Sequence, residues 1–167
     1  MRRLALMLLC AAIMLSCTSA TSYTTEYRMQ PKLAQHTVTH RSQLNTVKKT
    51  LSDSFTEHDV ILIAKTIYGE AGSDWISYEE KACVAWVILN RVDDPRWPNT
   101  VEEVVTAENQ FHGYSEYHAI TYECYGVAKD VLIRWSLEKM GYCVKRELAP
   151  TMTAFYGDGH ANHFYEY

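Results

Sequence analysis

Between residues 55 and 141 apolar side chains recur at helical spacing, in blocks that open on a hydroxyl residue and close on glycine or proline. Val60, Ile63, Ala64 and Ile67 form the first stripe. Thr56 with Asp59 makes a capping-box start for it, and Gly69 and Gly72 mark its end. Ser77 and Glu80 repeat the device before "EEKACVAWVILNRV", which runs apolar on nearly every side and stops at "DDPRWP", where Pro95 and Pro98 forbid continuation. Thr100 and Glu103 open a short third helix around "VVTA". Thr121 opens the last long one, with Tyr125, Ala128, Leu132 and Trp135 as its apolar stripe and Gly141 as its stop. The tail "APTMTAFYGDGHANHFYEY" has glycines amid aromatics and predicts a turn or short hairpin folded back on the helices. The class is mainly α (α+β), with a short irregular or β element at the C-terminus.

Upstream of residue 55 the pattern changes. "MRRLALMLLCAAIMLSCTSA" has two arginines, an apolar run from Leu4 to Leu15 and then small residues, the three-part plan of an export signal. The run is short of the roughly 20 residues that a spanning helix needs. Two processing points compete: a small-x-small site at Thr18 and Ala20, and "MLSC", which resembles a lipoprotein box and would place a lipid on Cys17. Residues 21–54, rich in Thr, Ser, Gln and Lys, read as a polar stalk or linker, with a short helix near Gln43 to Leu51 as the alternative. That leaves 55–167 as the folded domain, of a size for a single core.

Charge and cysteine usage narrow the class. The formal net charge is −4, and losing Arg2 and Arg3 with the leader makes it more negative, a balance unsuited to gripping nucleic-acid phosphates. Of five cysteines, Cys10 and Cys17 belong to the leader. Cys124 and Cys143 flank a predicted helix that holds them more than roughly 20 Å apart, too far to bridge. Cys83, among Ala82, Val84 and Trp86, reads as a small buried hydrophobe. Trp86 and Trp135 read as core, whereas Trp97, between prolines, either pins a loop or stacks on a ligand.

Candidate chemistry concentrates at "TIYGEAG", Thr66 to Gly72. Glu70 lies three residues after Ile67 and seven after Ile63, so it continues the buried stripe and faces inward or into a cleft. At a helix C-terminus it meets the partial negative charge of unpaired carbonyls, a field that favours the protonated carboxyl a general acid requires. Gly69 and Ala71 leave room beside it. The plainer reading makes Glu70 a cap, or the ion-pair partner of Arg91 on the next helix.

Taken in order, "IAKTIYGEAG", "EEKACVAWVILNRV", "WPNTVEEVV" and "NQF" resemble the SleB-type cell wall hydrolases, the spore-cortex-lytic-enzyme-like peptidoglycan hydrolases, and "FYGDGHANHF" resembles the end of their shorter members. The resemblance covers about residues 57 to 167. It implies a compact lysozyme-like or lytic-transglycosylase-like helical domain acting on peptidoglycan glycan strands; the export signal places that domain outside the cytoplasmic membrane, and a monomer without metal or cofactor is expected. It also implies that Glu70 is the catalytic acid.

Around it, Tyr68, Gln110, Phe111, His112 and Tyr114 are the expected substrate-binding wall on one side, and Tyr156, Asp158 and Asn162 on the other. "HGYSEYH" after "QF" departs from the germination enzymes and puts spore cortex in doubt as the substrate. Two other classes stay open. His160 and His163 with His112 or Asp158 could hold zinc in an amidase or peptidase, though not at helical HExxH spacing, and a non-catalytic wall-binding module would need no acid at all.

Overall fold

The computed structural model describes residues 31–167, with side chains from residue 41 onward. The leader with Cys17, and residues 21–30 of the polar stretch, lie outside the described residues. The chain divides into two units, Met1–His40 and Arg41–Tyr167. Of the first, only residues 31–40 are described, as the opening turns of helix α1 (Pro31–Ser54). This helix is far longer than the Gln43–Leu51 alternative to a stalk. Two local reasons account for it. Pro31 occupies the first helical position, where its missing N–H costs nothing, and no glycine or further proline interrupts the run. Thr46 and Thr50 also return their hydroxyls to the carbonyls of Ser42 and Thr46, so these polar side chains are satisfied within the helix.

The second unit is built from α2 (Glu57–Ala71), α3 (Tyr78–Asp93), α4 (Val101–Thr106) and α5 (Tyr122–Lys139), followed by the strands β1 (Ala154–Gly157) and β2 (Asn162–Tyr165). The mainly α class with a small C-terminal β element is thus borne out. The predicted starts also hold: Thr56, Ser77, Thr100 and Thr121 each accept a hydrogen bond from the backbone N–H three residues on. Thr56 and Asp59 complete the reciprocal box. Ser77 and Glu80 make only half of theirs, because the Glu80 carboxylate is taken by the backbone N–H of Asn162 at 2.6 Å. A side chain that sequence assigns to its own helix end instead fastens the C-terminal hairpin.

Helix α3 is the central element, buried from Lys81 through Arg91, as expected of a helix apolar all round. Helices α2 and α5 pack on it and on each other, and α4 closes against α2 and α3. Val60, Ile63 and Ile67 from α2 meet Trp86, Ile88 and Leu89 from α3 in one core, where each large aliphatic side chain contributes about 1.5–3 kcal/mol relative to exposure. On α5 the fully buried face is Cys124, Val127, Ala128, Val131, Leu132 and Ser136. Tyr125 and Trp135 flank that face half-buried instead of centring it. Their polar tips explain the shift: the Tyr125 hydroxyl donates to Glu57 and the Trp135 indole to Asp93, at 2.8 and 2.9 Å.

The hairpin pairs antiparallel, with Tyr156 opposite His163 and Gly157 opposite Asn162. It returns to the helices as predicted. Arg91, 5% exposed, donates through Nε to the Thr153 carbonyl at 2.7 Å, and Asn90 donates to the carbonyls of Ala149 and Met152. Phe155 then joins Phe111 and Phe164 in an aromatic cluster beneath the sheet. Cys83 and Cys124 are buried, Cys143 is exposed, and all three thiols are free. Burial and the neighbouring Glu147 push the Cys83 thiol up to about 11, so it packs as an inert hydrophobe. Among the described residues no helix is long and apolar enough to cross a membrane.

Candidate active site

Glu70 occupies the last turn of α2, and its surroundings explain the glycine before it. A Cβ on Gly69 would fall 1.7 Å from the carbonyl oxygen of Gly113, and one on Gly113 would fall 2.6 Å from the Gly69 backbone and 3.0 Å from the Glu70 carboxyl carbon. Two glycines therefore let the 110–114 loop lie directly on the helix. That approach brings the Gly113 N–H to 2.8 Å from Glu70 Oε1, a charge-assisted hydrogen bond that fixes the carboxylate. Among the described residues no donor engages Oε2. Asn162 donates through its side-chain amide to the Glu70 backbone carbonyl at 3.3 Å, while its own N–H goes to Glu80, so the hairpin is tied to α2 and α3 at the same place.

These contacts frame a pocket of about 190 Å³, lined by Glu70, Ser73, Trp75, Ile76, Gly157, Gly159, His160, Ala161 and Asn162. Glu70 and Arg91 form no ion pair, and the Glu70 side chain holds the loop N–H of Gly113 instead. Arg91 is close enough for Glu70 to favour its charge, but its guanidinium is engaged by Thr153 and Gln110 and lies between the rings of Trp97, at 4.4 Å, and Phe111, at 4.8 Å. Burial lowers its pKa to about 10, with Tyr165 and Glu70 opposing that effect.

The expected site residues separate into several groups. Asn162 lines the pocket with Glu70. Tyr68, partly exposed, packs edge-on against His118 at 5.2 Å, one residue before Gly69 and outside the pocket lining. Gln110 holds Arg91 at 3.1 Å and so supports the core beneath the loop. Phe111 is buried and packs in that core. His112 is exposed on the loop, and Tyr114 lines a different groove with His58, Lys65 and Tyr117. Tyr156 is stacked on His163 at 4.9 Å. Asp158 organises the hairpin turn: Oδ1 accepts from the N–H groups of His160 and Ala161, and Oδ2 pairs with His163 at 2.7 Å. Those bonds hold its carboxyl far below the usual carboxylate range. Among the described residues no three His, Cys, Asp or Glu side chains are grouped to hold a metal ion.

Three residues that line this pocket or hold its walls are not among the expected site residues. Gly113 was passed over between His112 and Tyr114, although its partner glycine was noted. Glu80, read from sequence as half of a capping box, has its carboxylate on the Asn162 N–H instead. Trp75, in the polar connection between α2 and α3, is the large aromatic in the pocket. An indole set among Ser73, Asp74 and Ser77 with no apolar period to join was the available signal.

A mainly helical domain with a carboxylate anchored in a small pocket is thus the setting for comparison with known proteins. Residues 76–146 match the family model described as cell wall hydrolase. Among individual proteins, the spore cortex-lytic enzyme of Bacillus subtilis (strain 168) is 37% identical over 59 residues, which are 35% of this chain and 19% of that relative. The resemblance read from the motifs is borne out over this stretch, which includes Glu80 and Gly113 but begins after Glu70. The aligned part spans about a fifth of the curated relative. No solved structure matches the chain.

Proposed function

We propose that the protein is a peptidoglycan-degrading enzyme that cleaves the glycosidic bond between N-acetylmuramic acid and N-acetylglucosamine as a lytic transglycosylase, with Glu70 as its acid and base. The observation that carries the reading is the Glu70 carboxylate, anchored through one oxygen by the Gly113 N–H and set in a pocket beside an indole. The similarity to cell wall hydrolases supports the polymer class. Export by the N-terminal segment, with release or lipid attachment at Cys17, would bring the enzyme to that polymer.

Ordinary glycoside hydrolysis uses two carboxyl groups, about 5–5.5 Å or about 6.5–9.5 Å apart. Of the candidate second carboxylates Asp74, Glu79, Glu80 and Asp158, Glu80 is committed to the Asn162 N–H and Asp158 to His163 and two backbone donors, while Asp74, between the pocket-lining Ser73 and Trp75, is exposed. A single-acid route fits this arrangement. Glu70 gives its proton to the departing glycosidic oxygen as the bond from C1 breaks. The neighbouring acetamido group of the muramyl unit shares the positive charge. Glu70 then accepts the proton of the muramyl 6-hydroxyl as O6 bonds to C1. The 1,6-anhydro product forms with no water consumed.

Digestion of purified peptidoglycan followed by mass spectrometry tests the route. Muropeptides ending in anhydromuramic acid, about 18 Da lighter than hydrolysed ends by the unused water, are the expected product. Glu70→Gln, which keeps the shape and removes the proton, should lower turnover at least about a hundredfold. Reducing ends alone would make the enzyme a hydrolase needing a second carboxylate, with Glu80 the first to replace. Activity unchanged in Glu70→Gln but abolished by a chelator would replace the reading with a metal-dependent amidase or peptidase built around His160 and His163.

A further inference from the structure

We propose that Trp75 is the stacking platform of a subsite for an uncharged N-acetylhexosamine unit, formed with the hairpin turn beside Glu70. Trp75 is 76% exposed, an unusual state for the largest side chain in the chain. The other three tryptophans are each tied down. Trp86 is fully buried with its indole N–H on Glu147, Trp135 donates to Asp93, and Trp97 lies under Arg91. No hydrogen bond, ring contact or cation of this kind engages Trp75 among the described residues. Its neighbour Ile76 packs against the core, which anchors the connection from one side and leaves the indole in the pocket.

The lining dictates what suits the space. No lysine or arginine contributes to it, so a ligand group carrying negative charge would find no cationic side chain of that kind to meet it. An apolar face against the indole, combined with a polar rim that can bond to Ser73, the His160 ring, the Asn162 side chain and the turn backbone, describes a pyranose with its acetamido group. At about 190 Å³ the pocket is of a size to seat one such ring. The muramyl unit carries an acidic lactyl group or its peptide. The unsubstituted N-acetylglucosamine next to the scissile bond therefore belongs on Trp75, which gives the cleft a direction. This assignment rests on the glycan-cleaving reading, and the test separates the two.

The probe is chitotetraose, an uncharged tetramer of N-acetylglucosamine, titrated into full-chain Glu70→Gln protein while tryptophan fluorescence and calorimetry are recorded. Saturable binding with a fluorescence change is expected. Adding Trp75→Ala should weaken it at least about tenfold and remove the change, and Trp75→Tyr should restore most of the affinity. The exposed position leaves the thermal unfolding of both variants near that of the parent, which separates lost stacking from lost fold. In otherwise native enzyme, Trp75→Ala should raise KM more than it lowers kcat. Equal affinity with and without the indole would overturn the subsite even if anhydromuramyl products are found. Trp75-dependent binding in a protein that cleaves no glycan would keep the subsite and overturn the catalytic reading. Tighter binding of a peptide-bearing muropeptide than of the neutral tetramer would overturn the preference for an uncharged unit.

Discussion

The close crossing of Gly69 and Gly113 makes one substitution unusually informative. In Gly69→Ala the added methyl would lie 1.7 Å from the Gly113 carbonyl oxygen and 2.4 Å from its carbon, where ordinary contact begins at 3.4 Å. Both obstacles are backbone, so no side-chain rotation relieves them, and helix and loop must separate. Overpacking of this kind costs about 1–3 kcal/mol. Separation also stretches the Gly113 N–H bond to Glu70, an interaction with a charged acceptor worth about 1.5–3 kcal/mol. Against these stands the gain of about 1 kcal/mol from replacing a helical glycine by alanine. The net expectation is a loss of about 1.5–5 kcal/mol, or on the order of 10 °C in Tm for a domain of this size.

Gly126→Ala is the matched control. Gly126 is exposed within α5 and an added Cβ there meets nothing within 4 Å, so the same chemical change should stabilise by about 0.5–1 kcal/mol. Thermal unfolding of the two variants followed by circular dichroism, with peptidoglycan clearing measured well below both midpoints, gives the comparison. Gly69→Ala should lose activity even where it is fully folded, since the carboxylate has lost its anchor, while Gly126→Ala should keep it. A Gly69→Ala protein as stable as Gly126→Ala, or as active as the parent, would refute the close approach as the reason for glycine in the motif.

Two further expectations concern the scaffold. Lys81 is fully buried, with Nζ 2.8 Å from the half-exposed Glu123 carboxylate but without a well-aligned hydrogen bond, so Lys81→Met should be neutral or stabilising by up to about 1–4 kcal/mol; a lower urea midpoint would contradict this. Burial alone would push the Glu147 carboxyl up, but hydrogen bonds from the Trp86 indole and Arg134 outweigh it and hold the group below its ordinary value. The stability it supplies is therefore present above the unfolded pKa of about 4.3 and is lost as pH falls through the lower folded value. Glu147→Gln should unfold at lower temperature than the parent at pH 7, with the gap closing as pH falls below the unfolded value of about 4.3; a gap independent of pH would show that packing, not ionisation, is responsible.

The legible parts of this fold were the local ones. Helix starts depend on residues three apart, and all four hydroxyl caps stand where the sequence puts them. The apolar saturation of "KACVAWVILNR" likewise announces a central helix without reference to anything outside it. What could not be read were the uses of side chains by distant segments. Glu80 makes an equally good cap on paper whether or not the Asn162 N–H, 82 residues away, claims its carboxylate. Gln110 and Phe111 follow the motif that suggested a cleft wall, yet Arg91 draws both into the support beneath the loop. Asp158 had the composition of a binding residue and spends both oxygens on its own turn.

The same distinction bears on how strongly similarity and geometry support each other. The matched stretch, residues 76–146, supplies the loop that anchors the carboxylate and the Glu80 that fastens the hairpin, but neither the carboxylate nor the hairpin itself. Glu70 comes from the helix before that stretch and Asn162 from the strand after it. Neither can form this pocket without the scaffold between them. Conversely, a Gly113 retained only for a tight loop would not need its N–H within 2.8 Å of a carboxylate, nor a second glycine opposite it. The pairing of Gly69 with Gly113 is a constraint that crosses the boundary of the matched stretch, and its purpose in the structure is to hold one oxygen of Glu70. Neither glycine alone achieves this, because a Cβ on either one would meet the backbone of the other.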